Sequence, residues 1–227
     1  SLAELSEYVP KSGNTYLVMR HGESVSNVEG FLNGAVGMEN PVTETGKGQI
    51  AKAAQELKGK VDLIFYSPLQ RTRETAFQLQ EALGLTDEQL IEDERIRESG
   101  MGELEGKPNT EKEKHFASPE VEYLESHAGM ESLLQMRKRM GEFLYDLEES
   151  YAGKRILVVS HGDPLCMLES AANGLDMAAS LKVFEDYYQN AQVRELPFTP
   201  MPHNDNYELD FHRPYIDDIE LFEGATK

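Results

Sequence analysis

The chain has 227 residues, 39% of them apolar, which is enough for one sizeable domain with its own core. Its formal net charge of -19 sets up a field that repels nucleic acid and anionic membranes at long range and favours solubility. Apolar runs such as residues 16–19 (YLVM) and 156–159 (ILVV) are far too short to cross a bilayer, and a single cysteine, Cys166, excludes an internal disulfide.

A cytoplasmic setting is therefore expected, without nucleic-acid or membrane partners: no basic segment followed by an apolar one opens the chain in the manner of a secretory signal, and a lone cysteine fits a reducing compartment. Residues 15–20 (TYLVMR) carry the β-branched and aromatic side chains of a short buried strand. After a Gly-containing loop, Thr43 is the predicted N-cap of a helix with Ile50, Ala53, Ala54 and Leu57 on one face. Residues 63–66 read as a second strand. Ser67 and Pro68 then predict the N-cap and first helical position of a helix whose stripe includes Leu69, Ala76, Leu79 and Leu83.

Residues 103–130 are polar and charged and yield no clear element. A long helix is expected over 131–148, with Leu133, Met136, Met140, Phe143, Leu144 and Leu147 facing inward. Residues 155–160 (RILVVS) read as a third strand, 164–172 as the helix after it, and 191–196 as a further strand. Strands alternating with helices predict an α/β fold, a three-layer sandwich with a mostly parallel central sheet and helices on both faces. There is no internal repeat and no low-complexity segment.

Three predicted strands end in chemically loaded turns: Arg20-His21-Gly22, residues 67–71 (SPLQR) and Ser160-His161-Gly162. Ligands of open α/β sheets bind at the carboxyl ends of strands, so two histidines and two arginines converge on one sheet edge. A phosphate monoester needs its dianion neutralised, a nucleophile in line and a proton for the leaving oxygen. Arg20 and Arg71 can each fork onto phosphate oxygens, a neutral imidazole can attack phosphorus, and a second histidine, if protonated, can stabilise the transferring group.

The blocks RHGESVSN (20–27), SPLQRTRETA (67–76), RIRESGMGELEG (95–106) and SHGDPL (160–165) occur in the order found in the histidine phosphatase superfamily, which includes phosphoglycerate mutases, and the chain resembles that family over most of 15–170. The resemblance implies a phosphoglycerate mutase-like fold, His21 as the nucleophile that becomes phosphohistidine, and Arg20, Arg71 and His161 around the phosphoryl group. It implies Glu98, selected by its register with Gly102 and Glu105-Gly106, as general acid and then base. It further implies that Asn27 contacts the phosphoryl group and that Gly162 offers a backbone N–H, with Glu23 and Ser24 in supporting roles at most. No metal and no diffusible cofactor are expected, and the expected partner is a small phosphorylated substrate. Arg73 is offset from the motif position, and His115, His127, His203 and His212 read as ordinary surface or loop residues.

Two departures favour a phosphatase over a mutase. Ser26 stands where mutases of the family typically carry Trp, and the mutase pattern is missing around Lys107, Lys112 and Lys114. A phosphoglycerate mutase-type phosphotransferase and a catalytically idle binding module are the alternatives. Specificity is expected to lie in 103–130 and 174–200; of the aromatics in the latter, Phe184, Tyr187 and Tyr188, core packing is the favoured account.

The two ends resemble something else. SLAELSEY (1–8) and DFHRPYIDDI (210–219) are similar to segments of isoleucyl-tRNA synthetases that lie close together there. This implies a flank over 1–11, a phosphatase-like domain over 12–200 and a second flank over 201–227, the domain being inserted in a larger synthetase. The chain itself lacks the synthetase's nucleotide-binding signatures, so it is not expected to charge tRNA alone.

Overall fold

The computed structural model describes residues 12–211. Five strands, β1 (Thr15–Arg20), β2 (Leu63–Tyr66), β3 (Leu90–Glu92), β4 (Arg155–Ser160) and β5 (Val193–Leu196), form one sheet in the order β3-β2-β4-β1-β5. The β3–β2, β2–β4 and β4–β1 pairs are parallel, while β5 runs antiparallel against β1 and closes that edge.

Alternation along the strands divides the core into two layers. Tyr16, Val18, Phe65, Ile156 and Val158 pack on one face against the helices α6 (Leu133–Ser150) and α7 (Gly162–Ala172). Met19, Ile64, Tyr66, Leu157 and Val159 pack on the other against α2 (Glu44–Leu57) and α3 (Gln70–Leu83). The result is the expected three-layer α/β sandwich. All six apolar positions predicted to face inward from the long helix are buried. Full burial of each such side chain is worth roughly 1.5–3 kcal/mol before chain entropy is subtracted.

Caps decide the helix ends. Thr43 caps α2 as expected, its Oγ1 accepting from Gly46 N at 3.0 Å. Helix α6 starts two residues later than expected because Ser132 and Gln135 form a reciprocal capping box. Helix α3 is not capped by Ser67: its N-cap is Leu69, and Ser67-Pro68 lies in the preceding turn. The Ser67 hydroxyl is taken instead by His161, 94 residues away.

Strand β3 was not anticipated; three residues are too few for an alternation to register. The polar stretch after it folds into short helices, α4 (Thr110–Glu113) and α5 (Pro119–Leu124), around a small cluster of Leu32, Met101, Leu104 and Met130. Helix α8 (Met177–Val183) follows α7. Residues assigned from sequence to the second flank dock on the domain: Leu209 N donates to Gly174 O at 2.9 Å, and Tyr207 O accepts from Arg137 of α6 at 2.7 Å. SLAELSEY, and DFHRPYIDDI beyond Phe211, lie outside the described residues. Among the described residues no helix is long and apolar enough to cross a membrane.

Candidate active site

Strand register builds the site. Arg20 lies opposite Ser160 in the parallel pair of β1 and β4, so the next residue of each strand, His21 and His161, leaves the sheet beside the other. Their ring centroids are 5.3 Å apart. Ser67 follows β2 on the other side of β4, its N–H donating to Val159 O at 3.1 Å. Gly22 lets this edge approach α2, since a Cβ there would stand 2.8 Å from Ile50 and 2.9 Å from Gly46 O.

A hydrogen bond fixes the His21 tautomer. His21 Nδ1 lies 2.7 Å from Gly22 O, a pure acceptor, so Nδ1 carries the proton and Nε2 keeps its lone pair. Arg71 Nε donates to that Nε2 at 3.1 Å. His161 Nε2 lies 2.7 Å from Ser67 Oγ. If the Ser67 hydroxyl donates, as its weak acceptance from Leu69 N at 3.5 Å favours, His161 carries its proton on Nδ1.

Arg71, buried on the first turn of α3, is oriented by Asn33: NH1 donates to Asn33 Oδ1, and NH2 to Asn33 O at 2.9 Å. Arg20 NH1 donates to Tyr188 O at 2.8 Å, and its guanidinium lies 5.3 Å from the centroid of the Tyr187 ring. Among the described residues, Arg20 Nε, Asn33 Nδ2 and His161 Nδ1 are buried without a hydrogen-bond partner. Leaving buried donors unsatisfied is costly, so these N–H groups suit an oxyanion, and Arg20 and Asn33 share one cavity with His21.

A cavity of about 610 Å³ opens at this edge, lined by Arg20, His21, Asn27, Arg71 and Glu98 from the predicted set. His161 is fully buried and does not line it. Asn27 Oδ1 accepts from Ser24 N at 3.0 Å and from Asn190 Nδ2 at 3.1 Å. Gly162 also lies off the cavity wall; a Cβ there would fall 2.0 Å from the Tyr187 hydroxyl, so its missing side chain makes room for Tyr187. Tyr187 lines the cavity rather than only filling the core, whereas Tyr188 is core.

Glu98 reaches the cavity on the loop that leaves β3, which Ser160 ties to the sheet by donating from Oγ to Ile96 O at 2.6 Å. Burial, and then the charge of Asp163, raise the Glu98 carboxyl above the usual range against the opposing pull of Arg71. Burial, with Arg71 and Arg20 nearby, holds His21 well below the usual imidazole value. Burial, then Arg71 and His21, do the same to His161. Burial and the neighbouring arginines thus disfavour the imidazolium form of both rings, and a neutral His161 offers an N–H.

Sequence reasoning missed Asn33, Ser67 as a partner of His161, and Asp163, and it favoured core packing for Tyr187, which lines the cavity. Lys112 was noted but not placed; it lines the cavity, its Nζ 2.9 Å from Asp163 Oδ2 and 2.7 Å from Glu122 Oε1. Among the described residues no group of three or more His, Cys, Asp or Glu is arranged to hold a metal ion.

The model of the histidine phosphatase superfamily (branch 1) matches residues 16–201. A "Putative phosphoserine phosphatase 2" of Hydrogenobacter thermophilus is 32% identical over 198 residues, covering 80% of this chain and 87% of that protein. A "2,3-bisphosphoglycerate-dependent phosphoglycerate mutase" of Mesorhizobium japonicum is 30% identical over 170 residues, covering 70% of this chain and 82% of the other. The fold matches that of a mycobacterial glucosyl-3-phosphoglycerate phosphatase solved with VO3, with TM-score 0.70 and 24% identity over 86% of this chain and 94% of that one.

Proposed function

The chain belongs to the histidine phosphatase superfamily, and we propose that it is a metal-independent phosphomonoester hydrolase working through a phosphohistidine on His21. The observation that carries this reading is the His21 Nε2 lone pair, held on the cavity wall by the Nδ1 bond to Gly22 and facing two arginines and a carboxyl of raised pKa.

In the proposed reaction the substrate phosphoryl group takes its oxygens to the cavity-lining Arg20, Arg71 and Asn33, whose free or exchangeable N–H groups form the cradle, and the unpartnered Nδ1 of His161, buried beside His21, closes it from behind. Arg71 Nε leaves His21 for a phosphoryl oxygen. Nε2 attacks phosphorus, the phosphorus–oxygen ester bond breaks, and Glu98 gives its proton to the departing alkoxide. Glu98, now a carboxylate, takes a proton from water as that water attacks phosphorus. The phosphorus–nitrogen bond breaks, the lone pair returns to Nε2, and phosphate leaves.

Hydrolysis is favoured over mutase action by Lys112. A mutase clamps its substrate carboxylate with free cations, but here Lys112 is already neutralised by Asp163 and Glu122. Wild type and His21→Ala assayed on a generic phosphomonoester in EDTA test the reading, with added glycerate as a competing acceptor. Phosphate release lost in the variant supports hydrolysis; transfer to glycerate supports the mutase.

A cytoplasmic location and a small phosphorylated substrate as the partner belong to the same proposal. So does a synthetase host, which rests on the sequences SLAELSEY and DFHRPYIDDI alone.

A further inference from the structure

Asp163 stands second in α7, two residues beyond His161, and the phosphoryl-transfer steps above make no use of it. Both of its oxygens are engaged across the cavity. Oδ1 accepts from the Tyr187 hydroxyl at 2.7 Å, and Oδ2 from Lys112 Nζ at 2.9 Å. Tyr187 in turn lies against the Arg20 guanidinium, and Lys112 bonds to Glu122 of α5. One carboxylate thus joins the wall that carries Arg20 to the wall formed by α4 and α5. Gly162 is part of the same arrangement, since any side chain there would collide with the hydroxyl that Asp163 holds.

We propose that Asp163 is a positioning residue for the acid step: clamped by Tyr187 and Lys112, it fixes the two cavity walls and places a permanent negative charge in the cavity that Glu98 lines. The inference rests on the phosphohistidine reading of the site. Asp163 stays ionised because Lys112 and the two hydrogen bonds outweigh the cost of its burial. A carboxylate held ionised next to another that is held protonated is the arrangement that separates an acid from its neighbour. The charged and titratable groups that act on Glu98 include Asp163, Arg71, Lys112, Tyr187 and Cys166; those that act on Asp163 include Lys112, Tyr187, Arg20 and Cys166. Lys112 opposes Asp163 directly at Glu98 but also keeps Asp163 ionised, so the charge of Asp163 is tested by replacing Asp163 itself while the cation at 112 is kept.

The test is the pH dependence of phosphohistidine formation in single turnover, using a generic aryl phosphate. With Asp163→Asn the alkaline limb, where Glu98 loses its proton, moves to lower pH by about one unit, roughly a tenfold loss of rate above it. With Lys112→Arg, which keeps a cation on Asp163, the limb stays in place. Tyr187→Phe keeps the Asp163 charge and leaves the limb in place while KM rises. Lower plateaus with unmoved limbs in both Asp163→Asn and Asp163→Ser would reduce Asp163 to packing and overturn the inference. If Asp163→Asn does not fold, Asp163→Ser decides alone: an unmoved limb overturns the inference, a downward shift supports it. Wild type that acquires no label on His21 in the same experiment overturns the underlying reading, and the inference with it.

Discussion

Arg71 Nε donates to His21 Nε2 at 3.1 Å, so the nitrogen proposed to attack phosphorus is engaged by the cation proposed to bind the phosphoryl group. The contact orients the imidazole, and in the proposed reaction Arg71 exchanges it for a phosphoryl oxygen. Arg71→Lys removes the fork that Asn33 orients and replaces it with a point charge. We expect kcat/KM to fall about 10²- to 10³-fold, as for loss of one preorganised donor, with the fold intact by circular dichroism.

The pH profile follows from two opposite displacements. His21 must be neutral to attack, and its value lies well below the usual 6.5, so activity is retained as pH falls through 6.5. Glu98 must be protonated in the first step, and its value lies above the usual 4.5, so activity persists above pH 4.5 and declines as pH rises through the raised value. A kcat/KM profile whose acid limb sits near pH 6.5 contradicts the burial-driven neutrality of His21.

Gly162→Ala places a methyl group 2.0 Å from the Tyr187 hydroxyl position, and the tyrosine must swing away. Its contacts with Asp163 and Arg20 go with it. A roughly tenfold loss in kcat/KM, about 1.4 kcal/mol, is expected, and Gly162→Ala combined with Tyr187→Phe should cost little more than Gly162→Ala alone. Additive losses would show that Gly162 acts independently of Tyr187, through its backbone N–H.

Turnover should persist in EDTA, because each task in the proposed mechanism is given to a side chain: charge neutralisation to Arg20 and Arg71, attack to His21, proton transfer to Glu98. Activity lost in chelator and restored by a divalent ion would sink that division of labour.

Local signals in the sequence carried most of the layered fold. The strands over 15–20 and 155–160 are apolar runs, and the turns that follow them hold His21 and His161. Glu98 was reached only through its block, since it stands among many acids. Ser67-Pro68 looked like a helix start because that dipeptide is a local capping signal, yet a partner 94 residues away claimed the hydroxyl. Asn33 and Asp163 were missed for the same reason: their partners Arg71 and Lys112 lie 38 and 51 residues off, and no periodicity announces such pairs. The antiparallel β5 edge is a matter of chain direction, which side-chain alternation does not encode.

The most direct test of the account is mass-spectrometric detection of the phosphoryl group after rapid quenching of the enzyme with a generic phosphomonoester. The account predicts one phosphoryl group on His21, formed at least as fast as turnover and absent in His21→Ala. Turnover without label on His21, or label retained on another residue in the variant, would contradict it.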